Sequence, residues 1–241
     1  MQVHTYGNHP SMHTSPETLR RTIATAVAIG AKRNKVCVLV PASNHTAGHF
    51  QLIKPAVATT SLEDRLWADG AYTYDVGSAI ALPTADCQSI IIKNMVTKKM
   101  VVVHGGKPAM TPGHVFENTW INIMDMALHK AIKGADPANL QIYVTGVIAP
   151  QDYRHDDENG QNHIRPFLEV YGWEAFAGKV QHGCLDLFAV TKMIAQRHKV
   201  PADQITHDGI YTSRHPGLAS YRTDKTANRN IIIAVNCHDE K

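Results

Sequence analysis

The sequence predicts an α/β (α+β) fold in which layers of mixed β-sheet are flanked by helices. Short apolar runs rich in β-branched residues alternate with longer segments whose apolar residues recur at helical spacing, which is typical of this class. The chain has 241 residues, 44% of them hydrophobic, and can therefore bury a sizeable core. No linker rich in Pro, Gly or Ser divides it. We therefore expect a single domain that spans residues 1–241.

The first half of the chain predicts one helix and four strands. Ser15, Pro16 and Glu17 suit the start of a helix, because they offer a capping side chain, a first-turn proline and an acid near the positive end of the dipole. The helix is expected to end near Gly30. The strands are VCVLV (36–40), SAIALP (78–83), QSIII (88–92) and MVVVH (100–104). Short turns join the last three, which we expect to form a local meander.

The second half predicts three helices and two strands around a polar loop. Gly134 and Pro201 are typical stop signals for the first and last of these helices. The helices cover 115–134, 164–177 and 184–200, the strands cover 141–149 and 230–235, and the loop covers 152–163.

Composition and charge argue against several classes of partner. The formal net charge is +3 and no basic block occurs, so we expect no binding to nucleic acid. No apolar run approaches the roughly 18 residues of a membrane span, and the polar start MQVHTYGNHPSMHTS is not a signal peptide. The four cysteines are dispersed without a C-x-x-C pattern, as in a reducing compartment, so we expect a cytoplasmic protein. The oligomeric state stays open.

Three predicted strands lead into side chains that can bind metal. His45 follows 36–40, Asp86 and Cys87 follow 78–83, and His104 ends 100–104. Strand ends at one edge of a sheet can converge, and a His/Cys/His set suits zinc or copper while leaving a position open for catalysis. On spacing alone, two other interpretations stay open: a Cys87–His104 nucleophile and base, or three unrelated residues.

Two further groups carry weaker signals for substrate binding. Gly105, Gly106 and Lys107 follow a strand and could bring backbone N–H groups and a cation to an anion. The rest of a phosphate-loop signature is missing, so a plain turn is the better interpretation. Ser220-Tyr221-Arg222 and Arg229 precede the last strand, where the alternative is a solvated loop.

Several motifs, in order, resemble the YfiH-like laccase-domain family. The segments ADGA (68–71) and ALPTADC (81–87) resemble the family's "ADA…LAVLTADC", and VVHGG (102–106) resembles "AAHAGWRG". SNH (43–45) stands where the family has "QVHG". Later in the chain, LDL (185–187) resembles "LDLWAANR". The segments YT (211–212), ASYR (219–222) and TANR (226–229) resemble "CT…FFSYRRDG…TGR". The resemblance covers nearly the whole chain.

This resemblance implies a fold, a metal site and two activities. The implied fold is a sandwich similar to that of cysteine deamidase toxins of the CNF type, in which a Cys/His pair acts without metal. The implied metal ligands are His45, Cys87 and His104. Family members with purine activity use zinc to split adenosine-type nucleosides with phosphate, and some deaminate adenosine. The older interpretation of the family is a copper enzyme that oxidises phenols.

The chain departs from the family where substrate would bind. "HAGWRG" is replaced by HGGKPA (104–109), so Lys107 is the nearest remaining cation, and "IGPCCYEVG" by IAPQDYRH (148–155), which keeps Tyr153. We expect a zinc enzyme acting on purine nucleosides as small-molecule substrates. A copper polyphenol oxidase is the alternative, and an inactive homologue that binds a ligand or partner is a further one. The expected substrate-binding residues are Lys107, Tyr153, Ser220, Tyr221, Arg222 and Arg229.

Overall fold

The strands and helices are taken from a computed structural model that describes residues 1–10, 15–41, 53–116, 119–179 and 183–237. The strands in these residues are β1 (Gln2–His9), β2 (Val36–Val40), β3 (Ile53–Pro55), β4 (Leu66–Trp67), β5 (Gly70–Thr73), β6 (Ala79–Thr84), β7 (Gln88–Asn94), β8 (Met100–Gly105), β9 (His114–Phe116), β10 (Thr119–Ile121), β11 (Leu140–Thr145), β12 (Ile205–His207) and β13 (Arg229–Val235). The α-helices are α1 (Pro16–Ala28), α2 (Lys107–Met110), α3 (Ile123–Ile132), α4 (Glu158–Tyr171), α5 (Leu187–Arg197) and α6 (Tyr221–Asp224).

Two mixed sheets form the centre of the fold. The first sheet has the strand order β1-β13-β6-β2-β4, and the second has the order β12-β11-β7-β8-β5-β3. In the first sheet β6 pairs antiparallel with β13 and parallel with β2. In the second, β7 pairs antiparallel with both β8 and β11, whereas β12 lies parallel to β11. The predicted mixed sheets are therefore confirmed.

The apolar runs in the sequence arise because the central strands are buried on both faces. Along β13, Ile231 and Ile233 face the cluster that contains α1, whereas Ile232 lies between the sheets. Ile91 of β7 and Val102 of β8 lie in the same layer as Ile232. The two sheets therefore pack face to face over an apolar layer.

Helices cover the outer face of each sheet. Leu19 and Ala26 of α1 pack on the first sheet. Leu128, Phe167 and Ile194, from α3, α4 and α5, share one cluster with strand residues of the second sheet. The layers follow the order α1, first sheet, second sheet and then α3 to α5, which confirms the predicted flanking helices. Among the described residues, no helix is long and apolar enough to cross a bilayer.

The predicted meander over 78–104 is only partly correct. β7 and β8 are antiparallel neighbours, but β6 belongs to the other sheet. The chain therefore crosses from one sheet to the other between Thr84 and Gln88. An apolar run buried on both faces looks the same in either sheet, so the sequence pattern does not show this crossing.

The helix predicted over 115–134 is wrong in its first part, which forms the β9–β10 hairpin. The helix begins only at Ile123, because Asn122 caps it. Its Oδ1 accepts hydrogen bonds from the backbone N–H groups of Met124 and Asp125 at 2.9 Å and 3.0 Å.

Two further boundaries differ from the prediction, and one strand is not predicted. The polar loop over 152–163 ends at Asp157, which caps α4 by accepting a hydrogen bond from the Gly160 N–H, so α4 starts earlier than the predicted helix over 164–177. The strand predicted over 141–149 ends at Thr145, because Gly146 turns the chain with φ +70°. Gln2–His9, within the polar start of the chain, form β1, which the sequence pattern does not predict.

Candidate functional site

The segment that crosses between the two sheets carries Asp86 and Cys87. Asp86 is buried and adopts a left-handed backbone conformation with φ +71°. Its carboxylate accepts hydrogen bonds from the Thr212 hydroxyl and from the Arg222 backbone N–H, both at 2.7 Å. Its carbonyl oxygen accepts one from the Ile148 backbone N–H at 3.1 Å. Asp86 therefore ties three distant segments to the turn that presents Cys87.

His104 lies near the end of β8, beside this turn. It pairs in register with Ser89 of β7, and its backbone N–H donates to the Asp69 carbonyl oxygen at 2.7 Å. Burial, followed by the charge of Arg229, lowers the pKa of the His104 imidazole to about 4. The ring is therefore neutral at neutral pH, which is the form that binds metal ions.

Burial also favours the neutral form of Cys87. It raises the pKa of the thiol to about 12, and the negative charge of Asp86 adds to this effect. The charges of Arg229 and Lys107 and a hydrogen bond with the Lys107 backbone act in the opposite direction. A thiol must lose its proton to bind a metal ion, so these cations favour the ligand form of Cys87.

Gly106 packs closely against both Cys87 and His104, which brings these two side chains to the same place. A Cβ atom on Gly106 would lie 3.0 Å from Cys87 Sγ, 2.9 Å from His104 Cε1 and 3.4 Å from His104 Nε2. Sulfur and imidazole nitrogen are donors that suit zinc and copper, so these two residues fit a metal site. The predicted third ligand, His45, lies outside the described residues. Within the described ranges, no three His, Cys, Asp or Glu side chains form a group that could hold a metal ion.

Three of the expected substrate-binding residues, Lys107, Tyr153 and Arg222, lie together beside Cys87. The guanidinium carbon of Arg222 is 5.1 Å from the centre of the Tyr153 ring. Burial, followed by the charge of Cys87, raises the pKa of the Tyr153 hydroxyl. Burial, followed by the charge of Arg222, lowers the pKa of the Lys107 ammonium. A protonated phenol and two cations therefore adjoin the Cys87–His104 pair.

The expected substrate-binding residues Ser220 and Tyr221 belong to the start of α6. Ser220 is buried, and its hydroxyl accepts a hydrogen bond from the Thr223 backbone N–H at 3.3 Å, so it caps the helix. The Tyr221 side chain is 57% exposed, and the Lys225 ammonium lies 5.8 Å from its ring centre. In the described structure, Ser220 thus has a capping role and Tyr221 faces solvent.

Arg229, the last expected substrate-binding residue, lies at the start of β13. Its Nη1 donates hydrogen bonds to the carbonyl oxygens of Ala227 and Asn228 at 2.9 Å and 2.8 Å. Its charge also acts on Cys87 and His104, as described above. Arg229 therefore makes the surroundings of this pair more positive.

The sequence names Asp86 only as a side chain that could bind metal, and it does not single out His155. The only signal for Asp86 is an acid in the turn after a buried strand. His155 lies in the predicted polar loop, but it is buried and its ring centre is 4.8 Å from that of Tyr153. Asp86 owes its role to partners that are distant in sequence, and His155 owes its position to a contact that forms on folding. No periodic pattern in the sequence therefore marks either role.

The sequence of the chain is similar to one protein family and to two curated relatives. Residues 18–235 match the model of a family described as multi-copper polyphenol oxidoreductase laccase. Two curated relatives, both named purine nucleoside phosphorylase and both from strains of Xylella fastidiosa, are 27% and 25% identical to the chain over 173 residues. These matches cover 69% of this chain but only 60% of each relative, which is less than two thirds of the relatives' length.

Solved structures share the fold at low sequence identity. The hypothetical protein YfiH from Bacillus licheniformis superposes with a TM-score of 0.73 at 18% identity, and the match covers 95% of this chain and 85% of YfiH. YlmD from Geobacillus stearothermophilus gives a TM-score of 0.73 at 17% identity over 97% of this chain and 90% of YlmD. These likenesses support the two-sheet architecture.

Proposed function

Because this chain belongs to the family described as multi-copper polyphenol oxidoreductase laccase, we propose that it is a zinc-dependent enzyme acting on purine nucleosides. In this proposal it splits adenosine- or inosine-type nucleosides with phosphate, and deamination of adenosine is a second reaction of the same site. The name of the two curated relatives supports this substrate class. The proposal is carried by the position of Cys87 Sγ and the His104 imidazole, which both lie against Gly106 and are donors that suit zinc.

The proposed ligands of the zinc ion are His45, Cys87 and His104. When bound, zinc would acidify a water molecule or polarise a substrate hydroxyl. His104 is suited to this role because burial keeps its imidazole neutral. Asp86 holds the turn that presents Cys87, through its hydrogen bonds to Thr212 and Arg222.

Lys107 and Arg222 are the proposed phosphate-binding residues. A guanidinium can offer two parallel N–H donors to a phosphate, whereas an ammonium acts as a point charge. Tyr153 keeps its proton because it is buried, so its hydroxyl can donate a hydrogen bond to the nucleoside. Arg229 adds positive charge around Cys87. Contacts of Ser220 and Tyr221 with substrate stay predictions, as does the cytoplasmic location.

The substitution Cys87→Ser tests the metal site. A hydroxyl is a poor ligand for zinc or copper, so we expect about one equivalent of zinc in the parent protein and none in the variant, as measured by elemental analysis. Cys237→Ser is the matched control, because this thiol packs against the apolar cluster that contains α1 residues and not next to Gly106. Full metal occupancy in the Cys87→Ser variant would contradict the site.

The reaction is tested by incubating the metal-loaded protein with adenosine or inosine, with and without phosphate. Release of the base that requires phosphate supports phosphorolysis, and release of ammonia from adenosine supports deamination. Copper in the purified protein together with oxidation of phenols would favour the polyphenol oxidase that the family description names. Retained metal without any turnover would favour the inactive homologue that binds a ligand or partner.

A further inference from the structure

His155 has a buried ring nitrogen without a partner among the described residues. The residue is only 4% exposed, and its Nε2 atom makes no hydrogen bond in the structure. Buried polar atoms in folded proteins almost always have a hydrogen-bond partner. An imidazole nitrogen that is buried without one therefore points to a ligand.

The fold fixes the position of His155. Its ring lies edge-on to Tyr153, with ring centres 4.8 Å apart and an interplanar angle of 74°. The side-chain amide of Gln161 donates to the His155 carbonyl oxygen at 2.5 Å. Gly183 packs so closely that a Cβ there would lie 2.6 Å from the same carbonyl oxygen. The backbone is thus held from two sides while the ring rests on Tyr153.

Two cationic side chains, those of Lys107 and Arg222, lie near His155. Tyr153 contacts both the His155 ring and the Arg222 guanidinium, whose carbon lies 5.1 Å from the Tyr153 ring centre. The charges of Lys107 and Arg222 both act on His155, and the charge of Arg222 acts on Lys107. Burial and these two cations, in that order, lower the pKa of His155 to about 3, so its ring is neutral and carries one N–H donor.

The other charged or titratable groups that act on His155 are His163 and Asp157. His163 is exposed on α4. The Asp157 carboxylate accepts a hydrogen bond from the Gly160 backbone N–H at 2.5 Å, so it is already engaged as the helix cap. Among the charged groups that act on His155, the cations Lys107 and Arg222 therefore outnumber the one acid, Asp157.

We propose that His155 Nε2, the Lys107 ammonium and the Arg222 guanidinium bind one tetrahedral oxyanion of the phosphate type between them. The guanidinium supplies paired donors, the ammonium a point charge, and the neutral imidazole a directional N–H. This inference rests on the proposed function in its choice of phosphate as the anion. It adds His155 to the site as a binding residue.

Binding of inorganic phosphate to the full-length protein with its metal tests this site, by calorimetry or by ³¹P NMR. We expect His155→Phe, which keeps an aromatic ring on Tyr153 but removes the nitrogens, to weaken phosphate binding by about tenfold or more. The matched control is His163→Phe, which changes an exposed histidine on α4 and should leave the affinity within about twofold. Circular dichroism of each variant checks the fold.

Unchanged phosphate affinity in His155→Phe overturns the inference, as does an equal loss in His163→Phe or a parent protein that binds no phosphate. If His155→Phe does not fold, His155→Leu, which also removes the ring nitrogens, carries the same test, with the same expected loss and the same overturning result. A second arm uses glycerol phosphate. Weakening by His155→Phe for both probes shows that the site accepts a phosphate monoester, and weakening for inorganic phosphate alone shows a site for the free anion.

These measurements separate the inference from the proposed function, because no nucleoside is present. Phosphate binding that depends on His155, in a protein that turns over no nucleoside, supports the anion site and overturns the nucleoside activity. Normal nucleoside turnover with phosphate affinity that does not depend on His155 overturns the anion site alone.

Discussion

The carboxylate of Asp86 joins the turn before Cys87 to residues that lie 126 and 136 positions further along the chain. Its left-handed backbone conformation is one that Asp and Asn adopt more readily than most residues. Replacement by Asn therefore keeps the shape and the backbone preference and removes the negative charge that accepts both hydrogen bonds.

We expect Asp86→Asn to lower the free energy of unfolding by about 1–3 kcal/mol, because a buried charged acceptor is replaced by a weaker, neutral one. The measurement is urea unfolding followed by circular dichroism. Asp203→Asn is the control, since Asp203 is exposed and its replacement should change stability by no more than about 0.5 kcal/mol. Equal unfolding midpoints for Asp86→Asn and the parent would show that the charge of the Asp86 carboxylate contributes nothing to stability.

The sequence predicts those residues of the site whose role depends on local properties, and it misses the roles that depend on tertiary contacts. Cys87 and His104 can be found because their chemistry and their position at strand ends are both local properties. The anchoring role of Asp86 and the position of His155 cannot be predicted in this way, because both depend on tertiary contacts. The strand-end pattern and the family resemblance both single out His45, which lies outside the described residues.

At the scale of the element, α3 shows how a single cap decides a boundary. Asn122 is fully buried, accepts from two backbone N–H groups of the first turn and donates to the Tyr171 hydroxyl at 2.9 Å. The cap therefore also joins α3 to α4. Ser15, at the start of α1, makes the simpler cap: its hydroxyl accepts from the Thr18 N–H at 3.2 Å.

We expect Asn122→Ala to cost about 2–3 kcal/mol and Ser15→Ala about 1 kcal/mol, because only the first also leaves a buried hydroxyl without its donor. Thermal or urea unfolding of the two variants side by side measures the difference. Equal losses would mean that the Asn122–Tyr171 hydrogen bond adds no stability.

The sequence predicts an element correctly where its hydrophobic pattern is local. It fails where strand pairing decides the secondary structure or the sheet to which a strand belongs. The strands VCVLV, QSIII and MVVVH are found because β-branched runs buried on both faces have few alternatives. The β9–β10 hairpin replaces a predicted helical turn, because its residues have apolar spacing compatible with either structure. The assignment of β6 to the first sheet depends on β13, which is more than a hundred residues away.

At the scale of the whole molecule, the layer between the two sheets excludes water from Cys37 of β2. Burial raises the pKa of this thiol from 9.0 to about 11, although a hydrogen bond with the Val57 backbone opposes the shift. The folded protein thus holds the proton to higher pH than the unfolded chain. The stability from this group is fully present below pH 9.0 and is lost as the pH rises toward about 11.

We expect the free energy of unfolding of the parent, relative to that of Cys37→Ala, to fall by about 2–3 kcal/mol over this alkaline range. The comparison with the variant removes the effect of lysines and tyrosines that titrate over the same range. Urea unfolding under reducing conditions at several alkaline pH values measures it. Parallel stability curves for the two proteins would contradict the linkage.

The position of β13 has a consequence for synthesis of the chain on the ribosome. β13 lies between β1 and β6, pairing with residues from Gln2 to His9 on one side and from Ala79 to Thr84 on the other. Both neighbouring strands are translated long before β13, so the edges that pair with β13 stay unpaired until it has been made. Unpaired strand edges can pair with strands of other chains and cause aggregation. The first sheet, and with it the turn that presents Cys87, can be completed only after translation has passed Val235.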